Sequence, residues 1–225
     1  MFTSNGRHLL CATNHGYEDA SVCLDHSRPF VRAANRGVLF AVADGVSSAS
    51  RGGEAARFAC GSLERFFRDP SVEDSAGGLR DLIAAMDAEV FGWLDEAAPD
   101  HRPGAAALTV AWLSPARCVV IAQLGDTAAF RARGDDPSRV ERLGPDQSVG
   151  HCLTHFLGQG GGAARVYVDA YPFEEGDTLI LVSDGVTKGL TADQVGEIVG
   201  EARNEQAAAE ALCARARARG SHDDI

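Results

Sequence analysis

Short apolar runs that end at turn residues alternate along the chain with segments of helical periodicity. Residues 39–43 and 178–183 are such runs, and each is followed by an Asp-Gly pair, which is typical of a buried strand that ends at a turn. Two further runs flank the turn sequence Ser-Pro-Ala-Arg and predict a hairpin over residues 107–122. The pattern also predicts strands at residues 128–133 and 165–170.

Apolar residues spaced three and four positions apart predict four helices. Their expected ranges are residues 54–68, 78–97, 192–200 and 204–219. Two helices follow the first strands, and several hairpin-connected strands come next, so strands and helices do not alternate strictly. This order favours an α+β fold in which antiparallel sheets carry helices on their outer faces. No linker divides the sequence, and we expect one domain over residues 1–225.

The composition is that of a globular protein, with 225 residues of which 45% are hydrophobic and 24% are charged. The formal net charge of −11 repels nucleic acid and anionic lipid, so we expect neither nucleic acid nor a membrane as a partner. No apolar run approaches the ~20 residues that span a bilayer, and the polar start lacks a signal peptide. The six cysteines form no Cys-X-X-Cys pair, which indicates reduced thiols. We therefore expect a cytoplasmic location.

Acidic residues stand at the ends of several predicted strands. Asp44 and Asp184 each precede a glycine and a valine at the end of an apolar run, so one local pattern occurs twice. Glu18-Asp19, Asp126 and Asp223-Asp224 lie in comparable settings. A single Asp-Gly pair is most simply a turn, and these five acidic sites are either five turns or ligands that converge in the folded chain.

Convergence of these carboxylates would require cations, because several packed carboxylates do not all stay ionised without them. Hard oxygen ligands select Mg²⁺ or Mn²⁺. Two such ions, ~3.5–4 Å apart, share a carboxylate and lower the pKa of a bridging water, which then attacks a phosphoryl group.

Other hydrolytic and nucleotide-binding chemistries lack their motifs in this chain. There is no Gly-X-Ser-X-Gly of a serine hydrolase, no phosphate-binding Gly-X-X-X-X-Gly-Lys and no His-Glu-X-X-His. The glycine-rich residues 158–162 are not followed by a lysine and a helix, so we interpret them as a loop.

Six short motifs occur in one order along nearly the whole chain, at residues 17–20, 40–45, 53–56, 124–127, 176–185 and 220–225. In this order and spacing they resemble the PPM-type (type 2C) metal-dependent serine/threonine protein phosphatases, and in particular a divergent bacterial branch. The resemblance implies an α-β-β-α sandwich of two antiparallel β-sheets flanked by helices. It also implies two Mn²⁺ or Mg²⁺ ions, with a third in bacterial members, and hydrolysis of phosphoserine and phosphothreonine.

The resemblance further implies roles for individual residues. Asp44, Asp184 and Asp223 match the metal ligands at the catalytic centre, where Asp44 bridges both ions and the carbonyl group of Gly45 binds one of them. Asp184 and Asp223 match ligands of the first ion.

The remaining implied ligands bind the other ions. Glu18, or Asp19 beside it, matches the acidic pair that holds the second ion, partly through water. Asp126 matches the acid that, together with Asp184, holds a weaker third ion. The implied substrate is a phosphorylated protein, and the implied opposing partner is a Ser/Thr kinase.

The chain departs from the family pattern at three places. Asn14 stands where the family usually has an arginine that binds the substrate phosphate, and Arg51, or less favourably Arg32, is the candidate replacement. No histidine follows Asp44-Gly45 to protonate the leaving group. The last strand of the fold is expected to be missing or short.

These departures leave two alternatives to an active protein phosphatase. One is a weakly active or inactive regulatory module with the PPM fold, motivated by Asn14 and by the missing histidine. The other is a two-metal hydrolase of small phosphorylated compounds or nucleotides.

Overall fold

The computed structural model describes residues 18–93, 103–134, 136, 139–150 and 152–224. Asn14 therefore lies outside the described residues. The strands are β1 (Asp19–Leu24), β2 (Val38–Gly45), β3 (Ala106–Leu113), β4 (Cys118–Leu124), β5 (Ala128–Ala132), β6 (Val140–Leu143), β7 (Ser148–Val149), β8 (Cys152–Leu153), β9 (Tyr167–Pro172) and β10 (Thr178–Val182). The helices are α1 (Pro29–Ala34), α2 (Gly52–Ser62), α3 (Arg65–Arg68), α4 (Ala76–Phe91), α5 (Asp184–Thr187), α6 (Ala192–Glu201) and α7 (Glu205–Ala218).

The larger sheet is antiparallel and has the strand order β1-β2-β3-β4-β9. Alternate residues of its central strands, such as Leu108 and Val110 in β3, join a buried core with the apolar faces of α2 and α4. Residues of the opposite parity, such as Ala111 in β3 and Ile121 in β4, join a second buried cluster. Both faces of the sheet are covered, which explains why these strands read as continuous apolar runs instead of alternating ones.

The smaller sheet has the order β10-β5-β6 and is also antiparallel. Leu143 of β6 and Leu181 of β10 face the larger sheet in the shared cluster. Phe130 and Val182 face the other way, toward Val195 of α6 and the buried residues of α7. The layers are therefore helices, sheet, sheet and helices, which confirms the α+β class and the predicted α-β-β-α sandwich.

The predicted hairpin is confirmed as β3 and β4, and the two C-terminal helices are confirmed as α6 and α7. The prediction of one helix over residues 54–68 is wrong, because the chain turns at Leu63 and Glu64 and forms the short α3 instead. Leu63 is fully buried there, so core packing overrides helical periodicity. The second predicted helix ends at Phe91, earlier than expected, with Gly92 as its C-cap.

Six of the structure's elements were absent from the expectations: α1, α5, β1, β6, β7 and β8. None exceeds six residues, so none contains enough periods for a hydrophobic pattern to emerge. Among the described residues, no helix has the length and apolar character needed to cross a membrane. Among the described cysteines, Cys23, Cys60, Cys118 and Cys152 are free thiols.

Candidate metal centre

The first two candidate ligands face each other across neighbouring strands. Asp19 begins β1 and lies directly opposite Asp44 near the end of β2 in the antiparallel register. Opposite residues in such a pair project from the same face of the sheet. Ala43, the neighbour of Asp44, belongs to the core beneath the helices. Asp44 therefore projects from the other face, on the side of the smaller sheet.

Close backbone packing fixes the turn that follows Asp44. A Cβ atom on Gly45 would lie 2.4 Å from the carbonyl carbon of Gly52, the first residue of α2, so no side chain fits at this position. The backbone N–H of Gly45 donates to the carbonyl oxygen of Glu18 at 3.1 Å. The hydroxyl of Ser47 donates to the Glu18 carboxylate at 2.6 Å. Glu18 is thus held beside the Asp44-Gly45 turn.

Buried hydrogen bonds hold the loop that carries Asp126, between β4 and β5. The Gln123 side chain donates to the carbonyl oxygens of Gly125 and Thr127, at 3.2 and 2.7 Å. Gly125 has a φ of +94°, and a Cβ atom there would lie 2.6 Å from the Ala107 side chain. Only glycine meets both conditions, and the loop therefore delivers Asp126 to the same end of the larger sheet as Asp44.

Two carboxylates of the candidate set are joined by a lysine. Asp184 is the first residue of α5, directly after β10, and Asp223 lies in the segment after α7. The ammonium group of Lys188 lies 2.6 Å from Oδ2 of Asp184 and 2.7 Å from Oδ2 of Asp223. The next residue, Asp224, accepts a hydrogen bond from the backbone N–H of Glu18 at 2.9 Å, so the C-terminal segment meets the start of β1.

Electrostatics show that the carboxylates share one environment. Burial, followed by the negative charges of Asp19, Asp184, Asp223 and Asp126, raises the pKa of Asp44 to about 10. Burial also raises the pKa of Asp19 to about 6, with further contributions from Asp224 and Asp184. Acids from separate parts of the sequence therefore surround Asp44.

Asp126 belongs to the same environment. Burial, followed by the negative charge of Asp184, raises the pKa of Asp126 to about 6. The pairing of Val182 with Ala128 explains this proximity, because it places the start of α5 next to the loop that carries Asp126. The structure thus places Asp126 near Asp184, which is itself one of the acids that influence Asp44.

The donor chemistry of the cluster fits hard divalent cations. Oδ1 of Asp19 and Oδ1 of Asp184 are buried and have no hydrogen-bond partner, and a buried carboxylate oxygen without a partner is costly unless a cation approaches it. Oxygen-only ligands suit Mg²⁺ and Mn²⁺. Within the described ranges, however, no three Asp, Glu, His or Cys side chains are already arranged as a complete ligand set for one ion.

Arg51, the candidate phosphate-binding residue, has partners of its own. It is the N-cap of α2, so its backbone is close to the Asp44-Gly45 turn. Its Nε donates to Glu54 at 2.7 Å, and its guanidinium carbon lies 4.2 Å from the centroid of the Trp93 ring. Arg32 donates instead to backbone carbonyl groups of His26 and Ser27.

Lys188 was missed by sequence reasoning, although two signals were present. It follows Asp184 by four residues, the spacing that places side chains on one face of a helix. It is also the only lysine in the chain. Neither signal identifies Asp223 as the second partner, because that contact depends on how the C-terminal segment packs.

The fold and the site together define an α-β-β-α protein with an oxygen-ligand cluster at one end of its paired sheets. A family model described as protein phosphatase 2C matches residues 13–218. The chain therefore belongs to the protein phosphatase 2C family, the protein-serine/threonine phosphatases, and the resemblance stated above is confirmed. No curated protein matches the chain by sequence.

Solved structures with a similar fold come from bacterial phosphatases. PppA, a key regulatory component of T6SS in Pseudomonas aeruginosa, is 20% identical with a TM-score of 0.75, covering 94% of this chain and 89% of PppA. The S. agalactiae serine/threonine phosphatase is 16% identical with a TM-score of 0.72, covering 95% and 93%. The catalytic domain of PstP, in complex with two manganese ions, is 18% identical with a TM-score of 0.70, covering 92% and 94%.

Proposed function

We propose that this member of the protein phosphatase 2C family is an active enzyme that hydrolyses phosphoserine and phosphothreonine in proteins with the help of two divalent metal ions. The observation that carries the proposal is that acids distant in sequence meet at one end of the sheets, since Asp19 lies opposite Asp44 and Lys188 contacts both Asp184 and Asp223. Several carboxylates packed together destabilise the protein on their own, and bound cations would offset this cost.

Mn²⁺ or Mg²⁺ would be held by the acids that surround Asp44. Asp44 is the central carboxylate and would contact both ions, with the carbonyl group of Gly45 beside it. Asp184 and Asp223 would hold one ion, since Lys188 already draws their carboxylates to one point. The two manganese ions of the similar PstP structure support the choice of metal.

Asp19 and Glu18 would hold the second ion. Asp19 has a buried oxygen without a partner, and Glu18 is fixed nearby by Ser47. Asp126, which is close to Asp184, would contribute to a third, weaker position. When bound, the ions would supply Lewis acidity toward the phosphoryl oxygens and a nucleophilic water.

The protein's own contribution is to position these acids and to bind the phosphorylated side chain. The rigid turns at Gly45 and Gly125 hold Asp44 and Asp126 before any ligand binds, which reduces the reorganisation that catalysis requires. Arg51 is our candidate for binding the substrate phosphate. It would have to exchange its contact with Glu54 for the phosphate, and both side chains are exposed enough to do so. A Ser/Thr kinase is the expected opposing enzyme, and the cytoplasmic location stays a prediction.

A specific observation favours one alternative, a weakly active or inactive regulatory module. The described carboxylates do not form a ready ligand set, and Lys188 occupies two of them. A protein of this kind would bind a partner through its fold and would turn over little substrate.

Hydrolysis of a phosphothreonine peptide in the presence of Mn²⁺ tests the proposal. We expect turnover that EDTA abolishes and that Asp184→Ala lowers by at least about a hundredfold, because the variant loses a metal ligand. Asp81→Ala, which removes an exposed acid from α4, is the matched control and should retain wild-type turnover. Absence of turnover with metal bound would favour the regulatory module, and turnover of nucleotides alone would favour a small-molecule hydrolase.

A further inference from the structure

The basic residues of this chain are distributed in an unusual way. The sequence contains 21 lysine and arginine residues, and Lys188 is the only lysine among them. The arginines are spread over the chain, whereas the single lysine lies in the candidate metal centre. A composition so biased toward arginine makes the exception at position 188 informative about the local chemistry.

Lys188 lies between two proposed ligands of the same metal ion. Its Nζ contacts Oδ2 of Asp184 at 2.6 Å and Oδ2 of Asp223 at 2.7 Å. These two residues are 39 positions apart in sequence, as the numbering shows, and come from α5 and from the segment after α7. The ammonium group thus takes the role that a metal ion would have at this point, because it neutralises two carboxylates and holds them together.

The shape of the ammonium group explains why a lysine is suited to this place. A lysine carries a compact point charge with three donors, whereas a guanidinium group is a broad planar fork. A compact charge reaches a point between two carboxylates much as a small metal ion does. The ordinary pKa of a lysine lies well above neutral pH, so its ammonium group supplies a positive charge at this point.

We propose that Lys188 is an internal counter-ion that competes with the metal for Asp184 and Asp223, and that it thereby sets the metal concentration at which the centre fills. This inference rests on the proposed function, because it assumes that these two acids bind a metal. It goes further because it assigns the control of metal affinity to Lys188, a residue outside the family's ligand set.

The structure offers Lys188 a place to move when a metal ion binds. Its side chain is 47% exposed, compared with 13% for Asp184. It borders an open cavity of about 390 Å³ that is also lined by Arg219 and His222. Release of the ammonium group into this cavity would leave both carboxylates free.

Calorimetric titration of Mn²⁺ into the metal-free protein tests the competition. We expect Lys188→Gln to bind Mn²⁺ about tenfold more tightly than the wild type. That is the lower end of what charge-assisted hydrogen bonds contribute, because the side chain is half exposed. Lys188→Arg keeps the positive charge but not its compact shape, and should bind Mn²⁺ with an affinity between those of the wild type and Lys188→Gln. Arg219→Gln removes a charge from the same cavity, where Arg219 bonds Gln194, and should change the affinity less than about twofold.

The single lysine also allows a direct observation. In protein labelled with ¹⁵N at lysine Nζ, one side-chain resonance is expected, and Lys188→Gln should remove it. Titration with diamagnetic Mg²⁺ should shift this resonance in step with metal binding, because the ammonium group leaves two carboxylates. A resonance that stays in place at metal saturation would overturn the inference.

The outcomes separate this inference from the proposed function. If the wild type binds Mn²⁺ and Lys188→Gln binds it with the same affinity, the metal centre stands and the competition is refuted. If neither protein binds Mn²⁺ or Mg²⁺, both proposals fail. If Lys188→Gln binds more weakly than the wild type, the lysine supports the metal site, and the competition is again refuted.

Discussion

Two acidic residues of this molecule differ in the groups that surround their carboxylates. Asp87 of α4 is only 5% exposed, and its carboxylate accepts hydrogen bonds from the backbone N–H groups of Gly158 and Gly160, at 2.8 and 3.1 Å. Asp44 is half-buried, its main electrostatic neighbours are other acids, and burial together with these charges raises its pKa to about 10. The Asp87 carboxylate therefore meets backbone donors, whereas the Asp44 carboxylate is surrounded mainly by other acids.

The difference separates a structural role from a functional one. Asp87 fixes the glycine-rich loop to α4 and needs nothing further, because a buried charge is tolerated when donors surround it. The position of Asp44 among other acids destabilises the metal-free protein. Cations that neutralise the cluster would relieve this destabilisation. Burial of an acid is therefore a weak indicator of a metal site, whereas the identity of its neighbours is a strong one.

The largest expected effect comes from removing the carboxylate of Asp44. Asp44→Asn should lower Mn²⁺-dependent hydrolysis of a phosphopeptide by at least about a hundredfold, because the central ligand loses its charge. In EDTA at neutral pH the same variant should melt at least about 2 °C higher than the wild type, since the amide avoids the cost of protonating Asp44 on folding. Thermal melts with and without Mn²⁺ measure both parts. A variant that is less stable than the wild type in EDTA would contradict the contrast.

Removal of the Asp87 carboxylate should lower the free energy of unfolding instead. Asp87→Ala leaves the N–H groups of Gly158 and Gly160 without a partner and should cost about 2–3 kcal/mol of the free energy of unfolding. Urea denaturation measures this loss, with the exposed Asp81→Ala in the same helix as the control. Affinity for Mn²⁺ in the folded fraction should stay within about twofold of the wild type. A large loss of metal affinity would show that the two sites are coupled.

The dependence of stability on pH should distinguish the same two sites. In the metal-free protein, the pKa of Asp44 is raised from its ordinary value of 3.8 to about 10, so the folded state holds a proton that the unfolded state has released. Stability should therefore fall as pH rises from 4 toward 10, by up to about 1.4 kcal/mol per pH unit. Asp44→Asn should flatten this slope, and Asp81→Asn should not. Parallel slopes for wild type and Asp44→Asn in urea denaturation with EDTA would refute the electrostatic account.

The smallest expected effect concerns the proposed phosphate contact. Arg51→Ala should raise the KM for a phosphopeptide about threefold and leave kcat nearly unchanged, because an exposed side chain contributes little binding energy. Arg65→Ala is the matched control, since Arg65 forms a comparable exposed pair with Glu89 at 2.7 Å. Equal KM values for wild type and Arg51→Ala in steady-state kinetics would remove Arg51 from the site.

Much of the fold was accessible from sequence because its strands are long apolar runs. Residues 107–113 and 118–122 predicted the β3–β4 hairpin within two residues at each end. The break in the helix at Leu63 was not accessible, because it depends on the packing of that side chain in the core. Local periodicity has no information about such tertiary constraints.

The candidate site could also be predicted from the sequence in part. Asp44 and Asp184 share a local pattern, so the sequence indicated them directly. The contact of Lys188 with Asp223, and the contrast between Asp44 and Asp87, depend on which neighbours the folded chain provides. No local sequence signal separates a carboxylate that meets backbone N–H groups from one that meets other carboxylates.

The most direct test of the central claim is an anomalous-difference map from a crystal soaked in Mn²⁺. We predict two strong peaks beside Asp44, one of them also contacting Asp184 and Asp223, with the ammonium group of Lys188 displaced from both. A map without anomalous density at Asp44, in a crystal where the carboxylates are well ordered, would contradict the account.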